Sequence, residues 1–146
     1  MNQIAFGNGH DFVTHLGCKL LAWSQGTCEV SLEIQPHLLN MSGFVHGGII
    51  MSVLDITCGR AGCWVPPGEP ARYSATISFT SNFLHGCREG SILIKAFRQP
   101  GGTSIYSSRG EVYDHSGTLL AVGVGAYKYR VKSSPNNSSP NSGLTI

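Results

Sequence analysis

The sequence predicts an α+β fold in which one long central helix packs against an antiparallel sheet of five or six strands. One segment, which begins near Gly47 and ends before Pro66, has the spacing and stop signal of a long amphipathic helix. A predicted hairpin precedes it, and three or four strands that meander in chain order follow it. Since a single helix can cover only one face of a sheet, we expect the chain to dimerise through a sheet edge or face.

The length and composition predict one domain and exclude some functions. The chain has 146 residues, enough for one domain with its own core, which we place at residues 1–132. Residues 133–146 are mostly Ser, Pro, Asn and Gly, so we expect a disordered polar tail there. The formal charge of +2 is too small to indicate nucleic-acid binding, and no apolar run is long enough to span a membrane.

The cysteines and the first residues indicate the compartment. The five cysteines are an odd and scattered set without the ligand spacing of a zinc site. Such a set is typical of free thiols in a reducing compartment. The first residues also lack the basic start and the apolar run of a signal peptide. We therefore expect a cytoplasmic protein.

The chain before the long helix is predicted to form a short helix and a hairpin. Residues 11–16 suit a short helix with an aspartate as its cap. Residues 18–23 are compact and apolar, and Gln25-Gly26 is a turn signal. Residues 27–34 then alternate between apolar and polar side chains, which is typical of a half-buried strand. Pro36 ends this strand.

Two faces of the predicted helix carry different side chains. At about 100° per residue, one stripe should face the sheet, and it consists of Ile50, Val53, Leu54, Thr57 and Ala61. Another face consists of Gly48, Ser52, Asp55, Gly59 and Gly62. Because these residues are mostly small, we expect a second chain to approach the helix closely around Asp55.

The rest of the chain is predicted to be strand and turn. Four segments have alternating or β-branched side chains, at residues 72–84, 91–98, 104–114 and 118–129. Gly123 and Gly125 lie inside the last segment, where they predict a bend or a close contact.

The loop before the helix and the helix itself contain a spaced motif. Asn40 precedes the histidine of His46-Gly47-Gly48 by six residues, Asp55 follows that histidine by nine, and Gly43 lies in the loop. This pattern resembles the signature of hotdog-fold acyl-CoA thioesterases of the phenylacetate-degradation-type (PaaI-like) group. Residues 74–84 and 117–121 also resemble strands of that family, so the resemblance covers roughly residues 10–130.

The resemblance implies the hotdog fold and an acyl-CoA thioesterase that needs no metal or organic cofactor. In that family, the backbone N–H at the position of Gly47 stabilises the oxyanion, and the residue that matches Asn40 helps to place the thioester. Asp55 would be the general base or the nucleophile. Thr76 matches a Ser or Thr that helps to hold the attacking water.

The chemistry of a helix N-terminus supports part of this interpretation. The first turn offers unpaired N–H groups and the positive end of the helix dipole. Gly47 and Gly48 have no side chain to keep a carbonyl from reaching them, so an oxyanion hole is plausible there. We place His46, Gly48 and Ser52 among the substrate-binding residues, and we expect His46 to order the loop and not to act as the base.

The spacing along the helix predicts a shared site. Asp55 lies eight residues beyond Gly47, which is roughly 12 Å along the helix axis. Both residues cannot contact one thioester carbonyl within a single chain. The family resolves this with a dimer in which the carboxylate comes from the facing subunit. We therefore expect a homodimer, assembling further to a homotetramer, in which each copy contributes half of two sites.

The substrate is expected to be an acyl-CoA with a medium-chain or aryl acyl group. An apolar tunnel would hold that group, with Met51, Val53, Trp64 or Phe83 as candidate lining residues. Arg60 is at most a contact for a phosphate of coenzyme A.

Simpler interpretations stand beside these. Asp55 can be a solvated carboxylate on a polar helix face, Asn40 a turn residue, and Thr76 a strand residue selected for packing. The main alternative function is a hotdog module that binds acyl-CoA without hydrolysing it. A hotdog hydratase or dehydratase is disfavoured, because those sites pair an Asp with a nearby His and Asp55 has no His at that spacing.

Overall fold

The computed structural model describes residues 6–130, in which six strands form one antiparallel sheet and one long helix lies against it. The helices are α1 (Phe12–Leu16) and α2 (Gly47–Ala61), with a 3₁₀ turn at Pro36–Leu38. The strands are β1 (Lys19–Ser24), β2 (Thr27–Glu33), β3 (Ser74–Phe83), β4 (Ser91–Arg98), β5 (Ile105–Tyr113) and β6 (Leu119–Tyr129). The predicted α+β class is confirmed. The predicted tail at residues 133–146 lies outside the described residues.

The short elements before α2 form where the sequence predicts them. Asp11 caps α1, since its Oδ1 accepts a hydrogen bond from the Thr14 N–H at 2.9 Å. β1 and β2 pair as a hairpin whose last register pair is Ser24 with Thr27. The hairpin thus supplies one edge of the sheet.

The strand order corrects the predicted meander. The order across the sheet is β1-β2-β4-β5-β6-β3, so of the four strands after α2 only β4, β5 and β6 follow one another as neighbours. β3 pairs with β6 at the far edge, although it precedes β4 in the chain. The reason is that α2 carries the chain across the face of the sheet, and β4 then returns beside β2.

The core lies between α2 and one face of the sheet. The predicted apolar stripe is confirmed, and Cys58 also belongs to it; the buried residues of α2 are Ile50, Val53, Leu54, Thr57, Cys58 and Ala61. They pack against fully buried strand residues, among them Val30, Leu32, Ile92, Ile94 and Val112. Burial of such aliphatic side chains contributes about 1.5–3 kcal/mol each and accounts for the position of the helix.

Two glycines on the other face of α2 have a different role from the one predicted. A Cβ on Gly59 would lie 3.3 Å from the Tyr127 ring, and a Cβ on Gly62 would overlap the Tyr106 ring. The small residues therefore admit tyrosines of the same chain, because β5 and β6 lie directly beneath this part of the helix. The expectation that Gly59 and Gly62 receive a second chain is wrong.

Glycines in β6 make the close contacts that the sequence predicts. A Cβ on Gly123 or Gly125 would lie about 2.7 Å from the ring of Phe79, which packs across β6 from β3. The two glycines thus leave room for the Phe79 ring over the face of β6.

The two sheet edges differ in length and exposure. β1 has six residues and β3 has ten. Along β3 and just before it, the side chains of Tyr73, Ile77 and Phe83 are 53%, 43% and 54% exposed. β3 is therefore a long edge strand with exposed apolar side chains, a feature that invites pairing with another chain. Among the described residues, no helix has the length and apolar character needed to cross a membrane.

Candidate functional site

The N-terminus of α2 presents one unpaired backbone donor. His46 is the N-cap, and its Nδ1 accepts a hydrogen bond from the Gly48 N–H at 2.8 Å. The Gly47 N–H has no hydrogen-bond partner within residues 6–130. Of the two candidate oxyanion donors, Gly47 is thus the available one, and His46 shapes the turn by capping the helix.

The loop before α2 is a tight turn built on Asn40. The Oδ1 of Asn40 accepts from the Ser42 N–H at 2.9 Å and from the Phe44 N–H at 3.1 Å. Gly43 has a φ of 79°, a backbone conformation that favours glycine. Arg88 covers the turn by donating to the Ser42 carbonyl at 3.0 Å. The structure therefore gives Asn40 the turn role, while its amide NH₂ has no hydrogen-bond partner within residues 6–130.

Asn40 and Gly47 line one cleft. It has a volume of about 410 Å³, and its walls are largely apolar. The lining residues are Asn40, Phe44, Val45, Gly47, Ile50, Phe83, Leu84, His85, Gly86, Cys87 and Leu120. We call this the Gly47 cleft. Phe83, one of the predicted tunnel residues, lies here and is 54% exposed.

The carboxylate of Asp55 lies in the middle of α2 and is oriented by two hydroxyl groups. Its Oδ1 accepts a hydrogen bond from the Thr76 Oγ1 at 2.9 Å. The Tyr127 hydroxyl lies 3.2 Å from the same oxygen and 3.3 Å from the main-chain oxygen of Asp55. The Oδ2 atom has no hydrogen-bond partner within the described part of the chain. One carboxylate oxygen is thus fixed and the other is available.

The sheet register brings the two hydroxyl groups together. Thr76 on β3 and Tyr127 on β6 are direct cross-strand partners. Immediately after this pair the register shifts, so that Ile77 forms an irregularity before Ser78 pairs with Ala126. Such irregularities re-aim side chains and often lie beside active sites.

Tyr127 is the residue of this group that the sequence did not reveal. It is 1% exposed, and burial raises the pKa of its phenol, so that the hydroxyl stays protonated and can donate. Tyr127 and Asp55 are 72 residues apart in the chain. The alternation of Tyr127 and Tyr129 indicates that both face one side of β6, but only the strand order shows that this side meets α2.

Asp55 and Thr76 line a second cleft, which we call the Asp55 cleft. It has a volume of about 220 Å³. The lining residues are Asp55, Ile56, Gly59, Arg60, Cys63, Arg72, Tyr73, Ser74, Thr76 and Tyr127. Its lining contains several hydroxyl groups and two arginines, in contrast to the apolar Gly47 cleft.

The other predicted substrate-binding and tunnel residues lie at separate positions on α2 or just after it. Ser52 donates its hydroxyl hydrogen to the Gly48 carbonyl at 2.7 Å, one helical turn back. Val53 is fully buried against the sheet, so its predicted place in the acyl tunnel is wrong. Met51 is 37% exposed on the helix surface. Trp64 lies beyond α2, in a groove that extends from the Asp55 cleft.

The buried cysteines are poor nucleophiles. All five cysteines are free thiols. Burial raises the pKa of Cys58 to about 12, and the nearby Asp55 charge adds to this effect. Burial likewise raises the pKa of Cys28 to about 12. Neither thiol would be ionised near neutral pH, so the carboxylate of Asp55 is the better candidate for chemistry.

Sequence comparison finds one similar protein with a named activity class. No protein-family model matches the sequence. The protein called "Putative esterase SSO2140" from Saccharolobus solfataricus is 29% identical over 112 residues, which are 77% of this chain and 78% of that protein.

Several solved structures have the same architecture. Conserved protein PA5202 from Pseudomonas aeruginosa is 25% identical, with a TM-score of 0.72 over 82% of this chain and 93% of that one. Thioesterase HI1161 from Haemophilus influenzae is 17% identical, with a TM-score of 0.77 over 88% of each chain. The E. coli PaaI protein from the phenylacetic acid degradation operon is 18% identical, with a TM-score of 0.69 over 80% of this chain and 86% of that one.

These similarities define the class of the protein. The chain has the hotdog fold that the sequence predicts, with α2 as the central helix. The structural resemblance to PaaI proteins, which the motif around His46 indicated, is confirmed by the match to the E. coli protein.

Proposed function

We propose that the protein is a thioester hydrolase that cleaves acyl-CoA to a free acid and coenzyme A. The observation that carries the proposal is the carboxylate of Asp55, which Thr76 and Tyr127 orient in an open cleft. The similarity to structures named as thioesterases and to a protein named as an esterase supports the same reaction class.

The reaction needs a donor and an acceptor at one carbonyl. The Gly47 N–H would stabilise the negative charge that develops on the thioester oxygen. Asp55 would either accept a proton from the attacking water or attack the carbonyl carbon itself. In the first route the C–S bond breaks after water adds to the carbonyl carbon, and Asp55 passes the proton that it accepted to the leaving thiolate of coenzyme A. In the second route the C–S bond breaks as an Asp55 oxygen bonds to the acyl carbon. Water then cleaves this mixed anhydride into the free acid and the Asp55 carboxylate, and a proton of that water goes to the thiolate. Asn40 would help to place the thioester, and Thr76 would hold the water or the carboxylate.

The active site would be shared between two copies of the chain. Gly47 and Asp55 are eight residues apart on one helix, about 12 Å along its axis, and each lines its own cleft. A dimer that places the Gly47 cleft of one copy opposite the Asp55 cleft of the other would complete two sites. The exposed apolar side chains on edge strand β3 support an interface there.

The lining of the Gly47 cleft supports a proposal for the substrate class. Its walls contain Phe44, Ile50 and Phe83, which suit an apolar acyl group of medium length or an aryl group. His46 and Gly48 would contribute through the shape of the turn, and Ser52 through the adjacent helix surface. A homotetramer and a cytoplasmic location remain predictions of the sequence.

The test is thiol release from short, medium, long and aryl acyl-CoA by the protein and its Asp55→Asn variant. We expect the variant to lose roughly 10²–10⁴-fold in kcat, because general acid–base catalysis contributes about that factor. Glu33→Gln is the matched control, since Glu33 is an exposed carboxylate at the end of β2 and lines neither cleft.

Two results would overturn the proposal. Full activity in Asp55→Asn would exclude Asp55 from catalysis. Tight acyl-CoA binding without hydrolysis by the unmodified protein would favour the alternative, a hotdog module that only binds acyl-CoA.

A further inference from the structure

Two arginines of the Asp55 cleft stand out because neither forms an ion pair with a carboxylate of residues 6–130. Arg60 and Arg72 both line this cleft. Within residues 6–130, the ion pairs join Lys95 to Glu29 and Arg109 to Glu111. The Asp55 carboxylate accepts hydrogen bonds from hydroxyl groups and not from these arginines. The cleft thus contains two unpaired guanidinium charges.

Other arginines of the chain use their guanidinium groups to support loops. Arg98 donates to the carbonyls of Gly101 and Gly102, each at 2.9 Å. Arg88 donates to the Ser42 carbonyl. No such hydrogen bond is made by the side chain of Arg60 or Arg72 to another residue between 6 and 130. Their N–H donors are therefore available to a ligand.

Aromatic rings hold both guanidinium groups in place. The Arg60 guanidinium lies 5.1 Å from the centre of the Trp23 ring and 5.2 Å from the centre of the Phe6 ring. The Arg72 guanidinium lies 5.0 Å from the Tyr129 ring centre. Stacking restricts an arginine but leaves its planar N–H edge open, so less side-chain entropy is lost when an anion binds.

The position of the pair relates it to the reaction. Arg60 follows Asp55 by five residues, which is roughly 7.5 Å along the axis of α2. Both arginines also line a larger groove of about 830 Å³ that adjoins the Asp55 cleft through Cys63 and Tyr73. The pair therefore lies where the groove meets the cleft, on the side of Asp55 toward the end of α2.

We propose that Arg60 and Arg72 form an anion-binding site that recognises a negatively charged group of the substrate. This inference rests on the proposed thioester hydrolysis. The anion is a carboxylate or a phosphate, the groups whose geometry a guanidinium matches best. Two parts of the substrate can supply it: a carboxylate at the end of the acyl group, or a phosphate of coenzyme A.

The experiment varies the two sources independently. The substrates are pentanoyl and glutaryl thioesters, each made with coenzyme A and with N-acetylcysteamine, which has no phosphate. Arg60→Ala and Arg72→Ala are compared with Arg109→Ala, whose side chain lies outside both clefts. Circular dichroism verifies that each variant is folded. Arg60→Lys is a second variant at Arg60, the arginine that packs on Trp23.

The expected result is an increase of KM of about tenfold per arginine, with little change in kcat, because the contact is made in the ground state and in the transition state alike. An increase confined to the coenzyme A thioesters identifies phosphate as the ligand. An increase confined to the glutaryl thioesters identifies the acyl carboxylate. A KM that the arginine variants leave unchanged for every substrate, or change equally for all four substrates, would overturn the proposal. The same increase of KM in Arg109→Ala would also overturn it.

A binding measurement separates this inference from the proposed function. Isothermal titration calorimetry with coenzyme A and with glutarate requires no turnover. Binding of one of these probes that is lost in Arg72→Ala would support the anion site even if no thioester is hydrolysed. Hydrolysis that persists while neither probe binds in an arginine-dependent way would leave the proposed function intact and refute the anion site.

Discussion

The Gly47 cleft and the Asp55 cleft border the same helix but offer opposite chemical groups, a hydrogen-bond donor in the first and an acceptor in the second. The first has apolar walls and an unpaired backbone donor at the start of α2. The second has hydroxyl-bearing walls and an oriented carboxylate acceptor. Thioester hydrolysis needs both a donor for the carbonyl oxygen and an acceptor for a proton. On the proposed function, neither cleft would therefore be complete within one chain.

The two clefts are also stabilised in different ways. The Gly47 donor depends on local structure, since the Asn40 turn and the His46 cap involve neighbours within four residues. The Asp55 carboxylate depends on distant contacts, because Thr76 and Tyr127 reach Asp55 across 21 and 72 residues. A change in the register of β3 and β6 should therefore affect the orientation of Asp55 more than the turn and the cap at the start of α2.

The largest effect is expected when two inactive variants are combined in one dimer. This experiment tests whether the Gly47 cleft of one chain and the Asp55 cleft of the other form one site. Asp55→Asn retains the donor and Gly47→Pro retains the carboxylate, so a mixed dimer of the two contains one intact site. Co-expression with two affinity tags isolates this mixed dimer. We expect its thiol release to exceed that of either parent by roughly 10²–10³-fold, the worth of the missing group.

The outcome of mixing distinguishes a shared site from a single-chain site. If each chain held a whole site, every chain in the mixed dimer would lack one essential group. A purified mixed dimer with no more activity than its parents would thus exclude the shared site.

The Gly47 cleft can be tested alone with two different substitutions of Gly47. Gly47 is the first residue of α2, where proline is tolerated, and His46 has a ψ of 136° that suits a residue before proline. Gly47→Pro removes only the N–H and should lower kcat by roughly 10²-fold. Gly47→Ala retains the N–H, and its Cβ would lie 3.6 Å from the Phe83 ring, an ordinary contact.

Thiol-release kinetics on both variants give the answer. The oxyanion role predicts a much larger loss for proline than for alanine. Similar kcat values for the two variants would show that the Gly47 N–H does not act on the substrate.

In the Asp55 cleft, the loss of a single hydroxyl group should lower kcat less than the loss of the Gly47 N–H does. Tyr127→Phe removes one of the two hydroxyl contacts to the Asp55 Oδ1 and preserves the ring that packs on Gly59. We expect kcat to fall about tenfold, since hydrogen bonds to charged groups contribute about 1.5–3 kcal/mol. Thr76→Val should act similarly, and Thr76→Ser should retain activity because it retains the hydroxyl.

A double variant tests whether the two hydroxyls act together. If both orient the same oxygen, the losses in Tyr127→Phe and Thr76→Val should not be additive. Unchanged kcat in both single variants would show that neither hydroxyl contributes to catalysis through Asp55.

The local signals in the sequence were sufficient to predict α2 and its start. The Asn40 turn, the glycines after His46 and the apolar stripe all act over a few residues, so periodicity and spacing reveal them. The same signals predicted the cap of α1 by Asp11. These features determine the Asn40 turn and the Gly47 donor, which is why this part of the Gly47 cleft follows from the sequence, whereas the walls at residues 83–87 and 120 come from distant parts of the chain.

The distant pairings could not be predicted in this way. The place of β3 beside β6 depends on which strands pair across the sheet, and no local pattern records that choice. For the same reason, the role of Tyr127 and the tyrosines beneath Gly59 and Gly62 were missed. The arrangement around Asp55 is thus a product of tertiary register, in contrast to the Asn40 turn and the His46 cap.

The two ends of α2 should differ in their tolerance of a methyl group. At Gly62, near the Asp55 cleft, an added Cβ would overlap the Tyr106 ring, whose hydroxyl is bonded to the Gly59 carbonyl at 2.6 Å. We expect Gly62→Ala to lower the free energy of unfolding by about 1–3 kcal/mol, the usual cost of overpacking. Urea denaturation measures this, with Gly47→Ala as the matched control that should change stability little. Equal stability of the two variants would contradict the close packing of Tyr106.

The last expected effect appears at alkaline pH and concerns the buried thiol of Cys58. Burial raises the pKa of Cys58 from 9.0 to about 12, so the folded protein retains a proton that the unfolded chain loses. The stabilisation from the neutral thiol is complete below pH 9 and is lost as pH rises toward 12. Cys58→Ala should therefore lose less unfolding free energy than the unmodified protein over this pH range, as measured by urea denaturation. Cys18→Ala is the comparison variant, because the pKa of Cys18 rises only to about 11 and Cys18 lies away from Asp55. A Cys58→Ala curve parallel to that of the unmodified protein would show that Cys58 is not buried under the Asp55 cleft.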